Sequence, residues 1–492
     1  MSSRVNIYPP ANMIRNYHSG LRDVKDASLA VVVDIGRRPG ISFSRGKYRL
    51  SGFRPMTTRL RILLVQPAWD GLGYRRKIKV DERTMHPLTL GVIAALSRPH
   101  DVKIVDEARE PLPASARGFD IVGFSVNTFN AFRAYARADR FRAEGVPVVL
   151  GGPHASLMTD ECLQHADSVV VGDAEDTWPR LLDDLTAGRL QSRYVSRPSP
   201  ALILPAPRRD LFRHDSRRVA WSQMSRGCTN PCRFCYLQYM PFAGMRLRPP
   251  GAVVDELRAM PQSIIMFVDD NVFCAPDYAR EVLRVITPLG KRWWIQAPTT
   301  IHEDSTLIPL MARSGCYAVS IGFQTASSLT VQNERILQNH VERYGALVAK
   351  LHRHGILVDG TFIFGFDSDD RGTFEATGRL ISGLRLDTYT FYFLTPYPGT
   401  EYFAQFEREG RILHRDWSRF DWDHVVLRPK QMSVEELREG VRRLTVRLDR
   451  GYFLKTAGRH LPISVRSLAS PGLWKLLLST SWSYWRSPVL RD

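Results

Sequence analysis

Three cysteines fall within eight residues of one another, in Ser225-Arg226-Gly227-Cys228-Thr229-Asn230-Pro231-Cys232-Arg233-Phe234-Cys235-Tyr236. Thiolates at i, i+4 and i+7 of one loop can converge on one centre, and cysteine thiolates are the usual ligands of iron–sulfur clusters. Three thiolates on a four-iron cube leave one iron open, which suits chemistry better than storage of charge. A structural zinc site would want a fourth ligand, yet the next cysteine is Cys274 and the next histidine His302. The expectation is therefore a [4Fe–4S] cluster on Cys228, Cys232 and Cys235. Cys162, Cys274 and Cys316 are scattered, and no disulfide framework is indicated. Cys274 and Cys316 read as small buried apolar residues.

A loop of this kind must hang from a sheet edge. From Leu60 short apolar strands alternate with helices: strands at 61–66, 102–106, 121–126, 146–150 and 168–172, helices at 88–96 and 132–144. The fold class is α/β, and residues 60–190 read as a parallel, doubly wound, Rossmann-like domain. Residues 191–215, rich in Pro, Ser and Arg, read as a linker. A second alternation has strands at 219–224, 264–268, 293–297, 318–323, 358–364 and 388–394. Its six βα units predict an open, partial (β/α)6 barrel over 216–400, with the cysteine loop after its first strand. Residues 401–492 read as a helical C-terminal region, and 1–59 as an irregular basic extension.

The C-x3-C-x2-C spacing, with aromatic Phe234 before the third cysteine, resembles the signature of the radical S-adenosylmethionine (SAM) superfamily. In that family SAM binds the open iron and is cleaved to a 5′-deoxyadenosyl radical that abstracts hydrogen from the substrate. The resemblance implies SAM contacts at the ends of the barrel strands, here Asp269, Asp270 and Asn271 after the second, Gln296 on the third and Gln324 on the fourth. The family often carries Gly-Gly-Glu where this chain has Asp269-Asp270-Asn271, and Glu where it has Gln324.

In the front domain four loops share one carboxyl edge, where open α/β sheets bind ligands. They are Gln66-Pro67, Ser125-Val126-Asn127-Thr128, Gly151-Gly152-Pro153-His154 and Gly172-Asp173-Ala174-Glu175. The glycines let backbone approach a flat ligand closely. Ahead of a radical SAM core, these loops resemble the cobalamin-binding domain of the B12-dependent radical SAM enzymes. The resemblance spans about 60–432. It implies cobalamin as a further cofactor, with contacts from Gln66, Ser125, Asn127, Thr128, Gly151, Gly152, His154, Gly172 and Glu175. The Asp-x-His-x-x-Gly motif that supplies a cobalt ligand elsewhere is missing, so base-off binding without that ligand is expected. His154 is a candidate contact on the corrin face.

The activity implied is methyl transfer to an unactivated carbon of a small or lipid-like substrate, with an electron donor such as flavodoxin or ferredoxin. The alternative is oxidative cyclisation or another rearrangement on the same cofactors. A lesser alternative, an RNA-modifying enzyme, draws on the net charge of +18. That charge sits on the flanks: +8 over residues 1–60 and +6 over 433–492, leaving +4 in the middle. RNA methylthiotransferases carry a second three-cysteine cluster, which this chain lacks, so nucleic acid is not the expected partner. No run of about 18 apolar residues is present to span a bilayer, and no signal peptide is recognisable. The expected location is cytoplasmic. Trp474, Leu477, Leu478, Trp482 and Trp485 fall on one side of a helical pattern near Lys475 and Arg486. That pattern suggests a peripheral contact at the inner membrane face.

Overall fold

The computed structural model describes residues 59–69, 87–197, 199, 201–212, 219–241 and 244–457. The basic extension and the tryptophan-bearing tail lie outside the described residues.

The first sheet contains β1 (Arg61–Gln66), β2 (Asp101–Asp106), β3 (Ile121–Ser125), β4 (Val148–Gly151), β5 (Ser168–Val171) and β6 (Arg193–Val195). Its order is β2-β1-β3-β4-β5-β6 and every pairing is parallel. The order reverses between β1 and β3, which opens a crevice at their carboxyl ends. β6 corrects the linker reading: residues 193–195 extend the sheet by one strand. Tyr194 is its one inward side chain and packs with Leu181 and Leu182. Three residues amid Pro, Ser and Arg are too short a run to show periodicity.

Helices cover both faces, as two-sided strands such as Ile62-Leu63-Leu64-Val65 require. Helices Leu88–Leu96 and Ala174–Thr186 cover one face. Helix Ala131–Ala143 covers the other through Ala134, Ala138 and Phe141. That second core is completed from far along the chain, by Phe403, Trp417, Phe420 and Val426.

The second sheet contains β7 (Val219–Ser222), β10 (Ile264–Phe267), β11 (Arg292–Ala297), β12 (Cys316–Gln324), β13 (Leu357–Phe364) and β14 (Thr388–Phe393). Its order is β14-β13-β12-β11-β10-β7, again wholly parallel, which matches the expected open six-stranded barrel. A two-stranded antiparallel ribbon of β8 (Ser225–Arg226) and β9 (Arg246–Leu247) straps the segment after β7. Along β13, Val358, Phe362 and Phe364 are buried among the helix side chains. The alternate residues Asp359, Thr361 and Ile363 stay partly accessible and line the inner face.

The C-terminal region is not one helical run. Helix Glu401–Arg408 stops at Gly410, whose φ of 65° is a left-handed cap. An irregular stretch follows, held by an antiparallel bridge between Ile412 and Leu427, before helix Val434–Ala457 begins.

Candidate active site

The cysteine loop leaves the carboxyl end of β7 and is fixed by the two carboxylates that follow β10. Asp269 accepts hydrogen bonds from the Met224 N–H at 3.0 Å and from both the N–H and the hydroxyl of Ser225, the latter at 2.7 Å. Burial pushes its carboxyl up to about 7. Asp270 accepts the Gly227 N–H at 2.7 Å. Gly227 itself has φ 98°, and a Cβ there would lie 1.9 Å from the Gly244 carbonyl oxygen, so no other residue fits before Cys228.

Cys232 is buried against Val331 and Ile336, and Phe234 packs on Phe366 with ring centroids 5.8 Å apart. Burial pushes the Cys232 thiol up, and that of Cys235 up to about 12. Such thiols keep their protons until a metal's charge replaces them. Among the described residues no three His, Cys, Asp or Glu side chains stand close enough for a single ion. Three thiols on one loop with no fourth histidine or cysteine ligand nearby in the sequence suit the three-cysteine ligation of an iron–sulfur cube better than zinc. Cys274, expected as a buried filler, is only partly buried, with its sulfur 3.8 Å from that of Cys228.

Asn271 supplies the clearest sign of a missing partner. Its Nδ2 points at the Cys228 sulfur at 3.7 Å. Its Oδ1 is buried and finds no hydrogen-bond partner among the described residues. A buried acceptor without a donor costs roughly 1–3 kcal/mol, and the amino group of SAM is a donor that would satisfy it. Gln324 ends β12 in a left-handed conformation, φ 65°, beside a register shift at Gly322. Gln296 is exposed on β11. Asp269, by contrast, is taken up by the loop backbone, and Phe234 anchors the loop to the barrel. Asp269 is therefore not free for the SAM contact that sequence alone suggested.

The front-domain loops gather as expected, but with different duties. Asn130, which the sequence did not single out, donates from Nδ2 to the Pro67 carbonyl at 3.2 Å and accepts the Asn127 N–H at 2.8 Å. It thereby ties the loop after β1 to the loop after β3. Gln66, Ser125 and Asn127 remain half-buried at this crevice, whereas Thr128 is buried. His154 is fully buried, with Nε2 2.9 Å from the Tyr135 hydroxyl and Nδ1 3.2 Å from the Thr128 hydroxyl. With both ring nitrogens occupied, it supports the loop and does not face a corrin.

Gly152 has φ 105°, and a Cβ there would meet the Val126 carbonyl oxygen at 2.8 Å. It serves the close approach of two loops. Gly151 has no such crowding, its nearest neighbour being Val170 at 3.5 Å. Glu175 and Asp173, beside Gly172, pair with Arg226 at 2.9 and 2.8 Å, and Asp173 also pairs with Arg246. The loop after β5 is thus clamped to the ribbon that carries the cysteines.

The two carboxyl edges meet across a row of aromatic rings. Trp69 contacts Phe129 at 5.2 Å between centroids, and Phe129 contacts Trp422 at 5.7 Å. Trp422 reaches Tyr392 and Tyr397, each at 6.4 Å, and Tyr397 reaches Tyr236, next to Cys235, at 4.9 Å.

A doubly wound domain whose ligand edge faces the mouth of an open barrel, with a three-cysteine loop at that mouth, defines a two-cofactor enzyme of the radical type. Residues 78–182 match the B12 binding domain and residues 222–381 the radical SAM superfamily. The chain is 32% identical over 397 residues to a bacteriochlorophyllide d C-12(1)-methyltransferase of Chlorobaculum tepidum, covering 78% of this chain and 86% of that protein. It is 27% identical over 376 residues to the C-8(2)-methyltransferase of the same organism, covering 71% and 82%. Its fold is that of the radical SAM methyltransferase TsrM from Kitasatospora setae, solved with cobalamin and a [4Fe–4S] cluster. The TM-score is 0.58 at 16% identity, over 72% of this chain and 78% of that one. The chain belongs to the B12-binding radical SAM enzymes.

Proposed function

We propose that this enzyme transfers a methyl group to an unactivated carbon of a flat, largely apolar molecule, of which the tetrapyrroles named for its relatives are the type. The observation that carries the reading is the facing of the two carboxyl edges across the aromatic row. When bound, the cluster with SAM supplies a hydrogen-abstracting radical and the corrin supplies the methyl group. Cys228, Cys232 and Cys235 would hold the cluster, and the orphaned Asn271 Oδ1 would accept from the SAM amine. Asp270 and Gln324 line the same strand ends. Gln66, Ser125 and Asn127, at the crevice between β1 and β3, would meet the corrin. The aromatic row excludes water from the gap where a radical must survive. An electron donor such as flavodoxin or ferredoxin completes the proposal. So does a peripheral membrane contact through the tail, testable by flotation with anionic liposomes against a chain ending at Arg466.

The deciding experiment is anaerobic turnover with SAM, cobalamin, a reductant and bacteriochlorophyllide d as the probe. A product heavier by one methyl group, with 5′-deoxyadenosine formed alongside, is expected. A product altered only in hydrogen or oxygen would replace methyl transfer by cyclisation or oxidation.

A further inference from the structure

The stretch Asp421-Trp422-Asp423-His424 belongs to no expected element, yet it is held with care. Trp422 has a φ of 68°, a left-handed conformation that costs a bulky residue strain and persists only where the surroundings enforce it. They do so here. The Asp421 carboxylate, fully buried, accepts the Asp423 N–H at 3.0 Å, the His424 N–H at 3.1 Å and the His424 ring nitrogen at 2.9 Å. The Trp422 carbonyl accepts the Phe393 N–H at 2.8 Å, which docks the turn on the end of β14. The nearby Trp417 and Phe420 are fully buried and do the packing. Trp422 stays half-buried, its ring between Phe129 of the front domain and Tyr392 and Tyr397 of the barrel.

The Asp423 side chain, next in the chain, is half-buried beside it. Asp359 and Asp423 both lie near enough to Tyr392 to raise its hydroxyl pKa, after burial itself. Burial also pushes the Asp423 carboxyl up to about 7. A strained, half-buried indole beside a carboxyl group with accepting capacity is more than packing requires.

We propose that Trp422, Tyr392 and Asp423 form the substrate wall at the barrel mouth. The indole covers a flat conjugated ring, and the Asp423 carboxyl accepts from an N–H or O–H donor on the substrate. The wall fixes which carbon lies between the radical source and the corrin, so these are positioning and specificity residues. The inference rests on the substrate reading above.

The test uses the full-length chain, reconstituted with iron and sulfide and loaded with cobalamin, with bacteriochlorophyllide d as the probe. Binding is read from the absorbance change of the probe, and coupling from the ratio of 5′-deoxyadenosine to methylated product. Trp422→Ala should weaken binding by about tenfold or more, while Trp422→Phe should stay within about threefold, since a ring face is preserved. Asp423→Asn should weaken binding by roughly tenfold, the worth of one buried hydrogen bond. In all three variants iron and cobalamin content should match the parent, and in Trp422→Ala and Asp423→Asn the deoxyadenosine ratio should rise as the substrate loses its position. Unchanged binding and ratio in Trp422→Ala and Asp423→Asn, with the parent binding the probe, would overturn the wall alone. A parent that does not bind the macrocycle overturns the substrate reading and the wall with it. Should Trp422→Ala fail to fold, Asp423→Asn, a change of one atom, decides the matter.

Discussion

Asp269 and Asn271 stand two positions apart after β10, yet the structure divides their work. Asp269 holds the backbone of Met224 and Ser225, so Asp269→Ala should release the start of the cysteine loop. Charged hydrogen bonds of this kind are worth about 1.5–3 kcal/mol each. A lower melting temperature and a clear loss of iron after reconstitution are expected, and a variant that loads iron like the parent would contradict this role. Asn271→Ala should leave iron intact and weaken SAM binding by about tenfold, through loss of one buried acceptor; equilibrium binding of SAM to the reconstituted protein measures it. The cysteines themselves were legible because spacing within one loop is written directly in the sequence. The division between Asp269 and Asn271 was not, because it depends on which side chain the returning β7 segment meets. Cys274 was misjudged for the same reason: its nearness to Cys228 spans 46 residues of chain.

Buried carboxyls add a pH dependence at this scale. Asp369 holds the Gly365 and Phe366 N–H groups at 2.8 and 3.0 Å, and burial pushes it up to about 7. A carboxyl raised in the folded state binds its proton more readily there than in the unfolded chain, where its pKa is about 3.9. Its contribution to stability therefore grows as pH falls from about 7 toward about 4, and is lost as pH rises through 7. Asp423 acts in the same direction. The cofactor-free protein should melt higher at pH 6 than at pH 8, and Asp369→Asn should reduce that difference.

Order of elements and barrel type were readable from alternation alone, because two-sided parallel strands give unbroken apolar runs such as Ile121-Val122-Gly123-Phe124. β6 escaped because it is only three residues long and half polar. The loops are where reading the elements misled. Gly151-Gly152 invited a reading as a cradle for a flat ligand, yet only Gly152 is constrained, and by Val126 of the neighbouring loop. Gly152→Ala combines a positive φ with a backbone clash and should destabilise the front domain by about 1–3 kcal/mol. Gly151→Ala should be tolerated with little change. Thermal melting of the two variants checks this, and equal effects would mean that the loop is not packed as described.

At the scale of the whole molecule the two halves are not separable modules. The sequence reading confines the front domain to residues 60–190, which suggests a unit able to bind its corrin alone. Its second core, however, takes Phe403, Trp417, Phe420 and Val426 from beyond the barrel. Trp417 also donates its indole N–H to Glu161 at 2.9 Å, and Glu161 accepts from the Tyr135 hydroxyl beside His154. The polar support beneath the His154 loop is thus finished by a residue more than 250 positions away. Exposing the face of Phe141, Ala138 and Leu150 would cost about 1.5–3 kcal/mol for each large side chain returned to water, against a total of only about 5–15 kcal/mol for a domain. A fragment of residues 59–197 should accordingly be poorly soluble or loosely packed, with slight cobalamin retention, while a chain of 59–457 should fold cooperatively. Within the full chain, Trp417→Ala should lower cobalamin retention and the melting temperature together, although Trp417 is remote in sequence from every corrin loop. The comparison is made by near-ultraviolet circular dichroism and by the cobalamin absorbance that survives desalting. A fragment of 59–197 with sharp melting and full retention would show that the post-barrel segment merely covers a finished domain, and the dependence argued here would fail.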